Sequence, residues 1–97
     1  MAIQALSSQE IDASLQRVPH WGREGSEIVR TFTFPKFEGS IQFVNQVAVE
    51  AEKADHHPDI LVQYNKVTLR LSTHDAGGLS ERDFAFATVA DRLASRL

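Results

Sequence analysis

The histidines are the residues of this chain best suited to moving protons near neutrality, and two of them stand side by side in Glu52-Lys53-Ala54-Asp55-His56-His57-Pro58. An imidazole, with an unperturbed pKa of about 6.5, both gives and takes protons, and a nearby carboxylate holds it in a chosen tautomer or protonated. Glu52 precedes Asp55 by three residues and His56 by four. On a helix these intervals share a face, so the last turn directs two carboxylates and an imidazole toward one end.

A third histidine joins them through the strand pattern. Ile60-Leu61-Val62-Gln63-Tyr64 and Val67-Thr68-Leu69-Arg70-Leu71-Ser72-Thr73-His74 flank Asn65-Lys66, and Asn is a favoured first residue of a two-residue hairpin turn. That turn pairs Tyr64 with Val67, Val62 with Leu69 and Ile60 with Leu71 on a wholly apolar face, and leaves Gln63, Thr68, Arg70 and Ser72 on the other, where only Leu61 is out of character. Carried three residues further, past Pro58, the register sets His57 opposite His74. The expected cluster is Glu52, Asp55, His56, His57 and His74.

Each of these residues alone is explained as a solvated side chain or, for the histidine before Pro58, as part of a helix end. Five polar groups converging from two kinds of element point instead to acid–base work on a polar small molecule. A covalent mechanism is disfavoured, because Ser72, Thr73 and Ser80 lie nearby without a nucleophile elbow. Metal ligation is the main competitor. Adjacent side chains diverge by roughly 100° on a helix and 180° on a strand, so His56 and His57 would meet one ion only through an irregular bend. The expectation is therefore no metal.

Composition bounds the rest. Ninety-seven residues, 42% of them hydrophobic and 24% charged, suit a single domain over residues 1–97 with one core. Ten basic against 13 acidic side chains leave a net charge of −3, which supplies no counterion-release drive toward nucleic acid. The absence of Cys removes disulfides, thiolate metal sites and thiol nucleophiles. Glu10 and Asp12 interrupt any apolar leader, and no run reaches membrane-spanning length, so a cytoplasmic protein with no membrane partner is expected.

The elements that must position the cluster follow from periodicity and caps. Ser7 with Glu10 reads as a capping box, Leu6 and Ile11 as a hydrophobic staple, and Pro19 as the end of the first helix. Residues 20–34 are β-branched and aromatic around Glu24-Gly25-Ser26, a first hairpin. Ile41, Val44, Val47 and Ala51 set a helix over residues 38–55, and the hairpin described above follows it. Gly77-Gly78 is turn geometry, and Ser80 with Asp83 caps a last helix carrying Phe86, Val89, Ala90, Leu93 and Leu97. The order αββαββα predicts an α+β two-layer sandwich, with sheet edges at which subunits could join.

Glu52 to Pro58, Tyr64-Asn65-Lys66-Val67, Ser72-Thr73-His74 and Gly78-Leu79-Ser80-Glu81-Arg82-Asp83 together resemble the signature of the pterin-4a-carbinolamine dehydratases, and Trp21 matches a tryptophan common in that family. The resemblance implies a four-stranded antiparallel sheet with three helices on one face, and a pterin substrate, 4a-hydroxytetrahydropterin, dehydrated to quinonoid dihydropterin in tetrahydropterin recycling. It implies His56 and His74 as general acid and base, with His57 beside them holding the pterin. Glu52 and Asp55 are the accompanying carboxylates, Pro58 shapes the pocket, and Arg82 and Asp83 stand at its rim. Neither metal nor cofactor is implied, and a homo-oligomer, dimer or tetramer, is expected. Ile60 departs from a tryptophan found in many relatives, a change that removes aromatic stacking worth on the order of 1 kcal/mol. The alternative is a non-catalytic protein-binding module, since animal members also serve as dimerisation partners of a homeodomain transcription factor.

Overall fold

The computed structural model describes residues 3–97. Helix α1 spans Ser8–Leu15, strand β1 Gly22–Glu24 and β2 Glu27–Thr33; helix α2 follows at Phe37–Ala54. Strands β3 (Asp59–Gln63) and β4 (Lys66–Leu71), a short 3₁₀ turn at His74–Ala76 and helix α3 (Glu81–Ser95) complete the order. All pairings are antiparallel and the sheet order is β1-β2-β4-β3, so the two hairpins meet through their second strands.

The β2–β4 register sets Ile28 against Leu71 and Phe32 against Val67. These four residues and Leu69 are buried on one face. Onto that face α2 lays Phe43, Val47 and Ala51, and α3 lays Phe84, Phe86, Ala87 and Ala90. Phe43 meets the rings of Phe32 and Phe34 at centroid separations of 4.6 and 5.2 Å, and Trp21 stands edge-on to Phe32 at 6.0 Å. The opposite face carries Val29 and the exposed Leu61 among mostly polar side chains, with a Thr31–Thr68 hydroxyl bond and Arg70 between Glu24 and Glu27. Both carboxylates raise the pKa of Arg70, the nearer Glu24 more.

Both capping boxes form. Ser7 N–H donates to Glu10, and Ser80 N–H to Asp83. Helix α1 ends at Leu15, before Pro19, because the next residues tighten: Gln16, Arg17 and Val18 each donate to the carbonyl three residues back. This tighter turn carries Val18 into the core.

The second hairpin differs from its expected register. Gln63 pairs with Lys66, so the turn residues are Tyr64 and Asn65, and Tyr64, rather than Asn65, takes the positive φ of 52°. Tertiary bonds decide this. The Asn65 side-chain amide donates to the Phe34 carbonyl, the Phe34 N–H donates back to the Asn65 carbonyl, and Ser40 donates to the Tyr64 carbonyl. The slip is two residues, which preserves the faces: Ile60 and Val62 still point the same way as Val67 and Leu69. It changes the neighbours, however, and the ladder begins at Asp59 opposite Arg70. Extended four residues beyond that pair, it would bring His74 level with Asp55, not with His57.

Candidate active site

The C-terminus of α2 explains how adjacent histidines take different roles. Asp55 follows the helix in the left-handed conformation (φ 50°, ψ 44°), and the His56 N–H closes on the Ala51 carbonyl at 3.1 Å. This reversal is the usual C-terminal device, performed here by Asp instead of Gly. It turns His56 inward to 8% exposure and leaves His57 outside.

Inside, His56 Nε2 lies 2.7 Å from Asp83 Oδ1. Asp83 is wholly buried in the first turn of α3. Its other oxygen accepts from the Ser80 N–H at 2.9 Å and from the Thr73 hydroxyl at 2.8 Å. Two donors thus meet one oxygen and the imidazole meets the other; an ionised carboxylate only accepts, so it takes Nε2–H as its third donor. Nδ1 of His56 has no side-chain or backbone partner among the described residues. Among the described residues no side-chain nitrogen or oxygen is both sealed from solvent and unpartnered, so Nδ1 is the nitrogen that reaches the outside.

Outside, His57 Nε2 is hydrogen-bonded to Glu52 Oε2, with both side chains largely exposed. His74 sits exposed on the 3₁₀ turn that follows β4 and makes no side-chain hydrogen bond among the described residues. The turn is pinned at Thr73, whose N–H donates to Gly78 O and whose carbonyl accepts from Ala76 and Gly78. Gly77 closes it at φ 72°, where a side chain would be strained. Pro58 is half-buried at the entry to β3, and Asp55 is exposed at the helix end.

Arg82 and His56 share a hollow of about 140 Å³ with Ala54, Ala85, Phe86 and Val89. It is smaller than a complete small-molecule site, which takes about 300–1,000 Å³, and its wall is mainly apolar. Asp83 is not at a rim: full burial places it behind His56, as the group that holds the ring. The structure thus joins Glu52 to His57 and His56 to Asp83. It links the His74 segment to the second pair through Thr73.

Thr73 and Ser80 are the members of this network that the residue pattern did not single out for such a role. Ser80 was legible as a cap; the Thr73 contact spans ten residues and has no local signature. No three histidine or carboxylate side chains among the described residues are arranged to hold a metal ion. No helix among them is long and apolar enough to cross a membrane.

Comparison with known proteins agrees with this architecture. The model of the family described as "Pterin 4 alpha carbinolamine dehydratase" matches residues 4–93. A relative from Chloroflexus aurantiacus, named "Putative pterin-4-alpha-carbinolamine dehydratase", is 52% identical over 88 residues, 91% of this chain and 95% of its own. The crystal structure of a transcriptional coactivator/pterin dehydratase from Brucella melitensis superposes with a TM-score of 0.90 at 32% identity, covering 94% of this chain and 99% of that one. A pterin dehydratase-like protein described as a RuBisCO assembly factor in the alpha-carboxysome superposes at 0.64 and 27% identity, over 76% of this chain and 86% of that one.

Proposed function

The chain belongs to the pterin-4a-carbinolamine dehydratase family, and we propose that it is a hydro-lyase converting 4a-hydroxytetrahydropterin to quinonoid dihydropterin and water by histidine acid–base catalysis. The observation that carries this reading is the buried His56–Asp83 pair. With Asp83 ionised, the carboxylate accepts from Nε2–H, which leaves Nδ1 as the basic nitrogen on the outward side.

The chemistry needs little more. As the N5 lone pair of the substrate pushes toward C4a, the C4a–O bond breaks and an acid protonates the departing oxygen, which leaves as water. The resulting cation then loses one proton to a base. His56, whose Nε2–H is engaged by Asp83, supplies that base through Nδ1, and His74 supplies the acid. Because one proton is given and one taken, exchange with solvent resets both rings. His57, steadied by Glu52, keeps Nδ1 available to orient the heterocycle, and Arg82 stands beside the apolar hollow where its edge can rest.

Stopped-flow measurement on chemically generated carbinolamine tests the proposal. The wild-type chain should accelerate dehydration, and His56→Ala and His74→Ala should each lower kcat by roughly 10²–10⁴-fold, the range of a general acid or base. No acceleration by the folded wild-type protein would refute it. The assembly-factor neighbour supports a second reading, a protein-binding module, which predicts a stable protein partner and no dehydration.

A further inference from the structure

Four polar side chains are buried together: His56, Thr73, Ser80 and Asp83. Their proton directions are determined by elimination. A carboxylate has only acceptors, so the Thr73 hydroxyl proton, 2.8 Å from Asp83 Oδ2, points to Asp83. That leaves Thr73 Oγ1 to accept from Ser80 Oγ at 2.6 Å. Ser80 Oγ in turn accepts from the Arg82 N–H at 3.2 Å. The chain of donors runs one way, from Ser80 to Thr73 to Asp83, and His56 meets the far oxygen of the same carboxylate.

Thr73 also fixes the neighbouring histidine. Its backbone makes the paired bonds to Gly78 that close the loop bearing His74, while its hydroxyl braces the group that holds His56. Extending the dehydratase reading, on which this rests, we infer that Thr73 is a positioning residue for both proton-transfer histidines. It locks the Asp83 carboxylate so that His56 keeps its proton on Nε2, and it sets where His74 stands relative to that ring. A purely structural hydroxyl, satisfying a helix cap, would not control which imidazole nitrogen carries the proton.

The test separates these roles. Thr73→Val keeps the side-chain shape and removes the donor; Thr73→Ser keeps the donor. In ¹⁵N-labelled wild-type protein, neutral His56 should show the Nε2–H tautomer. Thr73→Val removes one of the two donors that orient the carboxylate, so Asp83 should turn partly from His56, giving a mixture of tautomers and about a tenfold lower kcat with KM within twofold; Thr73→Ser should restore both, since displacement of a reacting group by as much as 1 Å costs up to about 10²-fold. The inference is overturned if wild-type His56 is Nδ1–H, if Thr73→Val leaves the tautomer unchanged, or if Thr73→Ser is no better than Val. Should Thr73→Val fail to fold, the wild-type tautomer and the Thr73→Ser protein decide. The NMR result stands whether or not the chain dehydrates pterins, so failure of this inference and failure of the dehydratase reading are read separately.

Discussion

Replacing Asp83 by Asn preserves the side chain's shape and exchanges one acceptor oxygen for a donor, which makes it a sharp probe of the buried pair. Asp83 now receives Ser80 N–H and the Thr73 hydroxyl on one oxygen and His56 on the other. A backbone N–H cannot become an acceptor, so the amide oxygen of Asn must stay on the Ser80 side and its NH₂ must face His56. Neutral His56 then has to turn its lone pair inward on Nε2 and carry its proton on Nδ1. The basic nitrogen is lost from the open side.

Two effects of different size follow from this single exchange. A charge-assisted bond worth about 1.5–3 kcal/mol becomes a neutral one of about 0.5–1.5, so stability should fall by about 1–2 kcal/mol. Loss of a general base is worth about 10²–10⁴ in rate, or roughly 3–5 kcal/mol of barrier. Activity should therefore collapse in a protein that remains folded. Urea unfolding, stopped-flow dehydration and the ¹⁵N shifts of His56 measure the three quantities on one sample. A folded Asp83→Asn protein that retains kcat within threefold, or that keeps His56 as Nε2–H, would refute the reasoning.

Asp55 sits at φ 50°, where Gly is the less strained residue, so Asp55→Gly should leave stability unchanged or raise it by up to about 1 kcal/mol; a loss of 1 kcal/mol in urea unfolding would contradict its role as a helix terminator. Gly39 faces Phe34, and an added Cβ would lie 2.9 Å from Phe34 Cβ, close to rigid backbone. Gly39→Ala should thus lose about 1–2 kcal/mol by thermal or chemical unfolding despite alanine's better helix propensity, because overpacking outweighs it. The Ser7 N–H, then the Ser7 hydroxyl, hold the Glu10 carboxyl below the ordinary glutamate range. Its contribution to α1 is present above that range and disappears as pH falls through the lowered value; NMR titration of the Glu10 carboxyl carbon should show the low midpoint, and Ser7→Ala should move it up.

The parts of the fold that were legible are those settled by short-range interactions. Ser7 and Glu10, or Ser80 and Asp83, lie three residues apart, and each pair marks a helix start that forms as read. The αββαββα order and the apolar face of the second hairpin survive for the same reason, since alternation is a property of each strand alone. The hairpin turn is different. Asn65 has the better intrinsic preference for a positive φ, but its side chain is engaged by the Phe34 carbonyl, 31 residues away, and the left-handed position falls on Tyr64. No local pattern records that choice, and the two-residue slip removes the expected facing of His57 and His74.

The candidate site divides along the same line. The i, i+3 contact of Asp83 with Ser80 was visible as a cap, whereas its contact with His56 spans 27 residues and reverses the meaning of the residue from rim to support. One carboxylate then starts a helix with one oxygen and meets the His56 imidazole with the other. On the proposed dehydratase reading, stability and proton transfer would be coupled through it, so substitutions at Asp83 should not change one alone. The Glu52–His57 pair carries no such coupling. Both side chains are exposed and neither anchors the core, so on the same reading that imidazole would be the one to adjust to the substrate while His56 is held from inside. The inner pair would then keep one tautomer and the outer pair make contact, a division that follows from the turn at Asp55 sending consecutive histidines to opposite sides of the surface.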